Sequence, residues 1–114
     1  MTQRDRPADA TRFYQPGDFI ALEMGRLAAQ RVTPETLEEF RLQLVKTRER
    51  NGDSKYLRMW DEIVRRGLTA VRQAFTEPSE RGQVLRSTIS FSVFVSKAER
   101  DAIFRANASI GMRR

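Results

Sequence analysis

Between Tyr56 and Val64 the apolar residues fall at a spacing that only one backbone conformation can use. Tyr56, Met59, Trp60, Ile63 and Val64 stand at i, i+3, i+4, i+7 and i+8, the period of a helix with one broad apolar face. Such a stripe must be covered, so this segment calls for a helix packed against others. Asp53 or Ser54 supplies its start. Beyond Gly67, the residues Leu68, Val71, Ala74 and Phe75 resume a helical stripe. The phase runs on from Ile63 through Gly67, Ala70, Val71 and Ala74, which predicts one helix over 54–76 with a soft spot at Gly67.

Two more helices are expected upstream. Asp18 follows Pro16-Gly17 as an N-cap, and Ile20, Met24 and Leu27 then form a stripe widened by Phe19 and Ala28, predicting a helix over 18–31. Gly25 within it costs about 1 kcal/mol against alanine, so either tertiary packing supports it or another helix approaches closely there. Thr33 caps the next helix, Pro34 suits its first position, and Glu35 puts a carboxylate at the positive end of the dipole. Lys46, Arg48 and Arg50 crowd the far end. Leu37, Phe40 and Leu44 line one face with Leu42 and Val45 to either side, and Asn51-Gly52 stops the helix near residue 50.

Thr76-Glu77-Pro78-Ser79-Glu80-Arg81-Gly82 reads as a loop. Past it, Ile89, Phe91, Val93 and Val95 alternate with Thr88, Ser90, Ser92 and Phe94, a period-two pattern that predicts a strand. Ser96 and Glu99 form a capping box for a last helix carrying Ala102, Ile103, Ala106 and Ile110. The expected fold class is therefore mainly α: a small domain of three to four helices with one C-terminal strand. A lone strand leaves its backbone groups unpaired. Antiparallel pairing of residues 88–95 across a two-fold homodimer answers that, with Ile89, Phe91, Val93 and Val95 as dimerisation residues. An extended tail packed on the helices, or a partner strand near Gln83-Val84-Leu85, are the alternatives. Residues 1–15, with Pro7 and few apolar groups, are expected to be a mobile lead to a single domain over 16–114. Phe13 and Tyr14 either tuck back onto the core or serve as a docking anchor.

The chain of 114 residues has no histidine and no cysteine. Serine–histidine and cysteine–histidine catalysis, thiol redox chemistry and N/S zinc sites are thereby excluded. Glu38-Glu39 and Asp61-Glu62 are adjacent on helices and point in different directions, while Glu35 and Glu39 are explained by the helix dipole. There is no Gly-rich phosphate loop. No catalytic residue, cofactor or metal site is expected, and the reading is of a non-enzymatic protein that works by binding. The net charge is +6, with 18 of 21 basic residues arginine, which favours encounter with acidic partners. Arg65, Arg66 and Arg72 form a basic edge diluted by Asp61, Glu62 and Glu77. No apolar run approaches the roughly 20 residues of a membrane span, the N-terminus lacks a secretory apolar core, and the lack of cysteine fits a cytoplasmic location.

The order Thr88 to Val95, then Ser96 to Ser109, resembles the start of ribbon–helix–helix repressors, whose paired strands enter the major groove. Its groove-facing positions hold serines and aromatics in place of the residues that read base edges. From Phe13-Tyr14-Gln15-Pro16-Gly17-Asp18 through Tyr56-Leu57-Arg58-Met59-Trp60 to Ser90-Phe91-Ser92-Val93-Phe94-Val95, the chain as a whole resembles small quorum-sensing antiactivators. These sequester a LuxR-type transcription factor. The resemblance implies a helical homodimer that binds the receptor's ligand-binding domain and competes with receptor dimerisation. Tyr56 and Trp60, Ser79-Glu80-Arg81-Gly82, Leu85-Arg86-Ser87, Phe91 and Glu99-Arg100 also resemble small antitoxin-like regulators, so a DNA-binding regulator is the alternative. Aromatic side chains dominate interface hot spots, which makes Phe13, Tyr14, Phe40, Tyr56, Trp60 and Phe75 the candidate partner-binding residues.

Overall fold

A computed structural model describes residues 14–112, with side chains through residue 107. Six helices follow one another among the described residues: α1 (Pro16–Arg31), α2 (Pro34–Asn51), α3 (Lys55–Arg66), α4 (Leu68–Thr76), α5 (Glu80–Ser87) and α6 (Lys97–Met112). The helix starts follow local side-chain chemistry. Gln15 N donates to Asp18 Oδ2 at 2.8 Å, so Asp18 closes the first turn of α1 from inside it. Thr33 Oγ1 accepts from Thr36 N at 3.2 Å, Ser54 Oγ from Leu57 N at 3.1 Å, and Ser79 Oγ from Gly82 N at 3.2 Å. Each satisfies one of the backbone donors that a helix leaves free at its start. Ser96 and Glu99 form the expected reciprocal pair, at 2.9 and 3.1 Å.

The expected helix over 54–76 is two helices. Gly67 has φ +104°, a conformation that side chains with a Cβ resist, and it turns the chain between α3 and α4. The continuous apolar phase hid this break, because both helices face the same core. The expected loop over 76–82 ends early: α5 begins at Glu80, capped by Ser79.

No strand occurs among the described residues. The segment expected to be one is a turn between α5 and α6. Phe94 N and Val95 N both donate to Phe91 O, at 2.9 and 2.8 Å, so Phe91, Phe94 and Val95 come to one side at the spacing of a helical turn. All three are buried. Alternation would have sent Phe94 out among the serines. Burying a third large side chain, with the backbone bonds closed locally, outcompetes that arrangement.

The core is an aromatic cluster drawn from four places. Phe40 of α2 meets Trp60 of α3 edge-on, with centroids 5.4 Å apart. Phe75 of α4 lies 5.5 Å from Trp60, 5.6 Å from Phe91 and 5.3 Å from Phe94. Tilted and edge-to-face pairs such as these add to plain area burial. Trp60 Nε1 donates to Leu85 O at 2.9 Å, which fixes α5 against α3. Helix α1 runs across α4, α5 and α6. Its Gly25 sits so close to α4 that a Cβ there would lie 2.1 Å from Phe75 O. Close helix approach, the second of the two readings of this glycine, is what the fold uses it for.

Candidate functional site

Tyr14 is the first described residue, and it is anchored. Its hydroxyl donates to Pro78 O at 2.8 Å and accepts from Arg86 Nη2 at 2.5 Å, while its ring lies 5.1 Å from Phe19. Of the two fates expected for Tyr14, the tuck is the one seen. Phe13, and all of the expected mobile lead except Tyr14 and Gln15, lie outside the described residues. Arg86 is 1% exposed. Its Nη1 donates to Glu77 O at 2.6 Å and Phe75 O at 3.3 Å, and its Nε has no hydrogen-bond partner among the described residues. No carboxylate stands within ion-pair distance of it among those residues. Burial lowers its pKa from the ordinary arginine value, opposed by the neighbouring Tyr14, Glu77 and Asp18. In the sequence Arg86 figures only inside the antitoxin-like pattern, with no role of its own, since no one-dimensional signal separates a buried arginine from the 17 others.

The candidate partner-binding aromatics divide by burial. Phe40, Trp60 and Phe75 are each 0% exposed. They form the centre of this chain's own core, and the assignment of these three to a partner surface is corrected: exposing them would cost the fold. The stripe logic that found them is the same logic that buries them. Tyr56 and Tyr14 are half-buried. Among the residues expected to pair across a dimer, Phe91 and Val95 are each 5% exposed and are likewise spent on the core, with Ile89 and Val93 partly buried against it. The strand pairing expected of them is corrected for the same reason.

The large apolar side chains that do face outwards are others. Leu42 is 47% exposed and Val45 36%, side by side on α2; Phe104 on α6 is 51% exposed and Phe19 on α1 37%. Helix α2 packs against α3, and it commits Phe40 and Leu44 to the core. The opposite side of the same helix therefore carries Leu42 and Val45 with nothing over them among the described residues. A shallow depression of about 550 Å³ adjoins Leu42, between α2 and the turn bearing Ser92 and Val93. Glu39, Lys46 and Arg50 rim it. Leu42 and Val93 are the apolar residues of a lining that is otherwise polar or charged.

A second concavity, of about 820 Å³, lies where α1, the 88–96 turn and α6 meet. Met24, Ile89, Phe91 and Phe104 give it an apolar lining, and Lys97, Arg100, Asp18 and Asp101 ring it. Between the same three elements the Arg31 guanidinium grips Glu99 at 2.6 and 2.8 Å and reaches Phe94 O at 2.7 Å. That pair ties α1, the turn and α6 together. The same guanidinium, aided by the Ser96 backbone, holds the Glu99 carboxyl down at about 2.

Among the described residues no group of three or more acidic side chains is placed to hold a metal ion. No described helix is long and apolar enough to cross a membrane. Comparison with protein-family models, with curated proteins and with solved structures gave no match.

Proposed function

We propose that this chain is a non-enzymatic regulatory binding protein, an antiactivator that holds a LuxR-type quorum-sensing receptor by its ligand-binding domain. Bound there, it blocks receptor dimerisation and hence DNA binding. The whole-chain resemblance supplies the partner class. The observation that supports a protein partner is the outer side of α2: Leu42 and Val45 are exposed three residues apart, and Glu39, Lys46 and Arg50 rim the depression beside Leu42. A helix presenting two apolar side chains at i and i+3 fits the helix-in-groove mode of recognition. Tyr14 and Tyr56, being half-buried, border the surfaces open to a partner; Phe40, Trp60 and Phe75 do not belong to the reading. The chain would act in the cytoplasm, where such receptors bind DNA.

Titration of the purified chain into a dimeric receptor ligand-binding domain, followed by light scattering, tests this. The expected result is loss of the receptor dimer and appearance of a mixed complex. A receptor dimer that persists at saturating chain overturns it. The same reading includes a homodimer of the chain, for which light scattering of the isolated protein should give twice 13.2 kDa. The rival DNA-binding reading makes a different demand. Phosphate-driven binding falls by on the order of 10³ or more between 50 and 200 mM salt, whereas an apolar protein interface changes little over that range.

A further inference from the structure

We infer that the groove between α1, the 88–96 turn and α6 is a binding site for a single-chain amphiphile with a carboxylate head. The inference goes beyond the partner reading and does not depend on it: the groove meets the depression beside Leu42 only at Ser90 and Ser92, and Arg100 lines the groove alone. Its volume of about 820 Å³ is in the range of small-molecule sites, which are mostly apolar with a few placed polar groups. Met24, Ile89 and Phe91 supply a continuous apolar floor, and Phe104 stands at its wall with half its surface open. No other large apolar side chain among the described residues is as exposed, so a ligand's alkyl chain would cover what the fold leaves uncovered.

The charges at the rim choose the head group. Both acids there are already engaged: Asp18 Oδ1 accepts from Gln83 Nε2 at 2.7 Å, and Asp101 Oδ2 from Lys97 Nζ at 2.9 Å. Arg100 makes no side-chain hydrogen bond or ion pair among the described residues. Arg86, lining the inner wall, is a buried cation without a carboxylate at ion-pair distance among them. Arg86, Lys97 and Arg100 against Asp18 and Asp101 leave the lining one positive charge in excess, and a guanidinium such as Arg100 is suited to a bidentate carboxylate contact. Ser92, which also lines the groove, accepts from Ser90 Oγ and Gln43 Nε2 and keeps its own hydroxyl proton to donate.

The test is calorimetric titration of the full chain with dodecanoate below its micellar concentration, repeated with methyl dodecanoate and with phosphatidylglycerol vesicles. The expected result is saturable one-to-one binding of dodecanoate, weakened about tenfold or more both in the methyl ester and in Arg100→Gln. Ala21→Trp, which fills the groove from α1, should abolish it. Arg100 is on the surface, so that variant folds whatever becomes of the second, and circular dichroism checks both. Absence of dodecanoate binding overturns the inference, as does equal affinity for the ester, or binding to vesicles alone. Receptor binding by Arg100→Gln is expected to be unchanged, so failure here and failure of the antiactivator reading are told apart.

Discussion

Single side chains set the distances within this fold, and Gly25 sets the tightest. With its Cα facing α4, a methyl group would collide with the Phe75 carbonyl, a backbone atom that cannot swing aside. Gly25→Ala gains about 1 kcal/mol of helix propensity but forces α1 off α4, and overpacking of this kind costs about 1–3 kcal/mol. A net loss of up to about 2 kcal/mol is expected, read as a lower midpoint in urea denaturation. Trp60 carries a different load. Its ring fills the centre of the aromatic cluster and its Nε1 holds Leu85 O. Trp60→Phe removes that bond and leaves space, at an expected cost of about 1–3 kcal/mol, and Trp60→Ala about 3–5 kcal/mol. Trp60 is the chain's one tryptophan, so urea midpoints followed by circular dichroism report both. Arg86 shows what a sequence conceals: its burial depends on where α5 lands, and the Tyr14 hydroxyl that meets it comes from 72 residues away.

At the scale of elements, most helix boundaries were legible because they are written locally. Thr33, Ser54 and the Ser96–Glu99 pair each mark a start through bonds spanning three residues. Two errors share one cause, which is that apolar spacing reports the face of a segment and not its continuity. Gly67 breaks a stripe whose phase never changes, and the 88–95 segment alternates in sequence yet folds as a turn, because tertiary packing wanted Phe91 and Phe94 together. Gly67→Ala should cost about 1–3 kcal/mol, since its φ of +104° lies in a region almost reserved for glycine. The Arg31–Glu99 bridge gives a pH signature. Glu99 is held at about 2 in the folded chain against an ordinary 4.5. A carboxylate depressed by folding contributes stability above its unfolded pKa and loses it as pH falls through the folded value. Stability should therefore decline between about pH 4.5 and 2, and Glu99→Gln should flatten part of that decline in urea midpoints taken across the range. The bridge is exposed, so salt should weaken it.

For the whole molecule, the helical class was legible, while Phe40, Trp60 and Phe75, expected at a partner surface, are core. Amphipathic spacing identifies the residues most worth burying, and in a chain of this size the chain buries them itself. The outward positions are those next to the stripe, as Leu42 and Val45 are next to Phe40 and Leu44. Leu42→Glu with Val45→Glu should leave the thermal midpoint within a degree or two, because neither side chain belongs to the core. It should also weaken partner capture at least tenfold, as expected where buried apolar contact is replaced by unpaired charge. The decisive comparison is release of a LuxR-type receptor from its operator duplex by the wild-type chain and by this double variant, in a purified system. Wild-type protein should release the receptor in proportion to its concentration, and the folded variant should fail to. A variant as potent as the wild type, or a wild-type chain that leaves the receptor on DNA, would contradict the account.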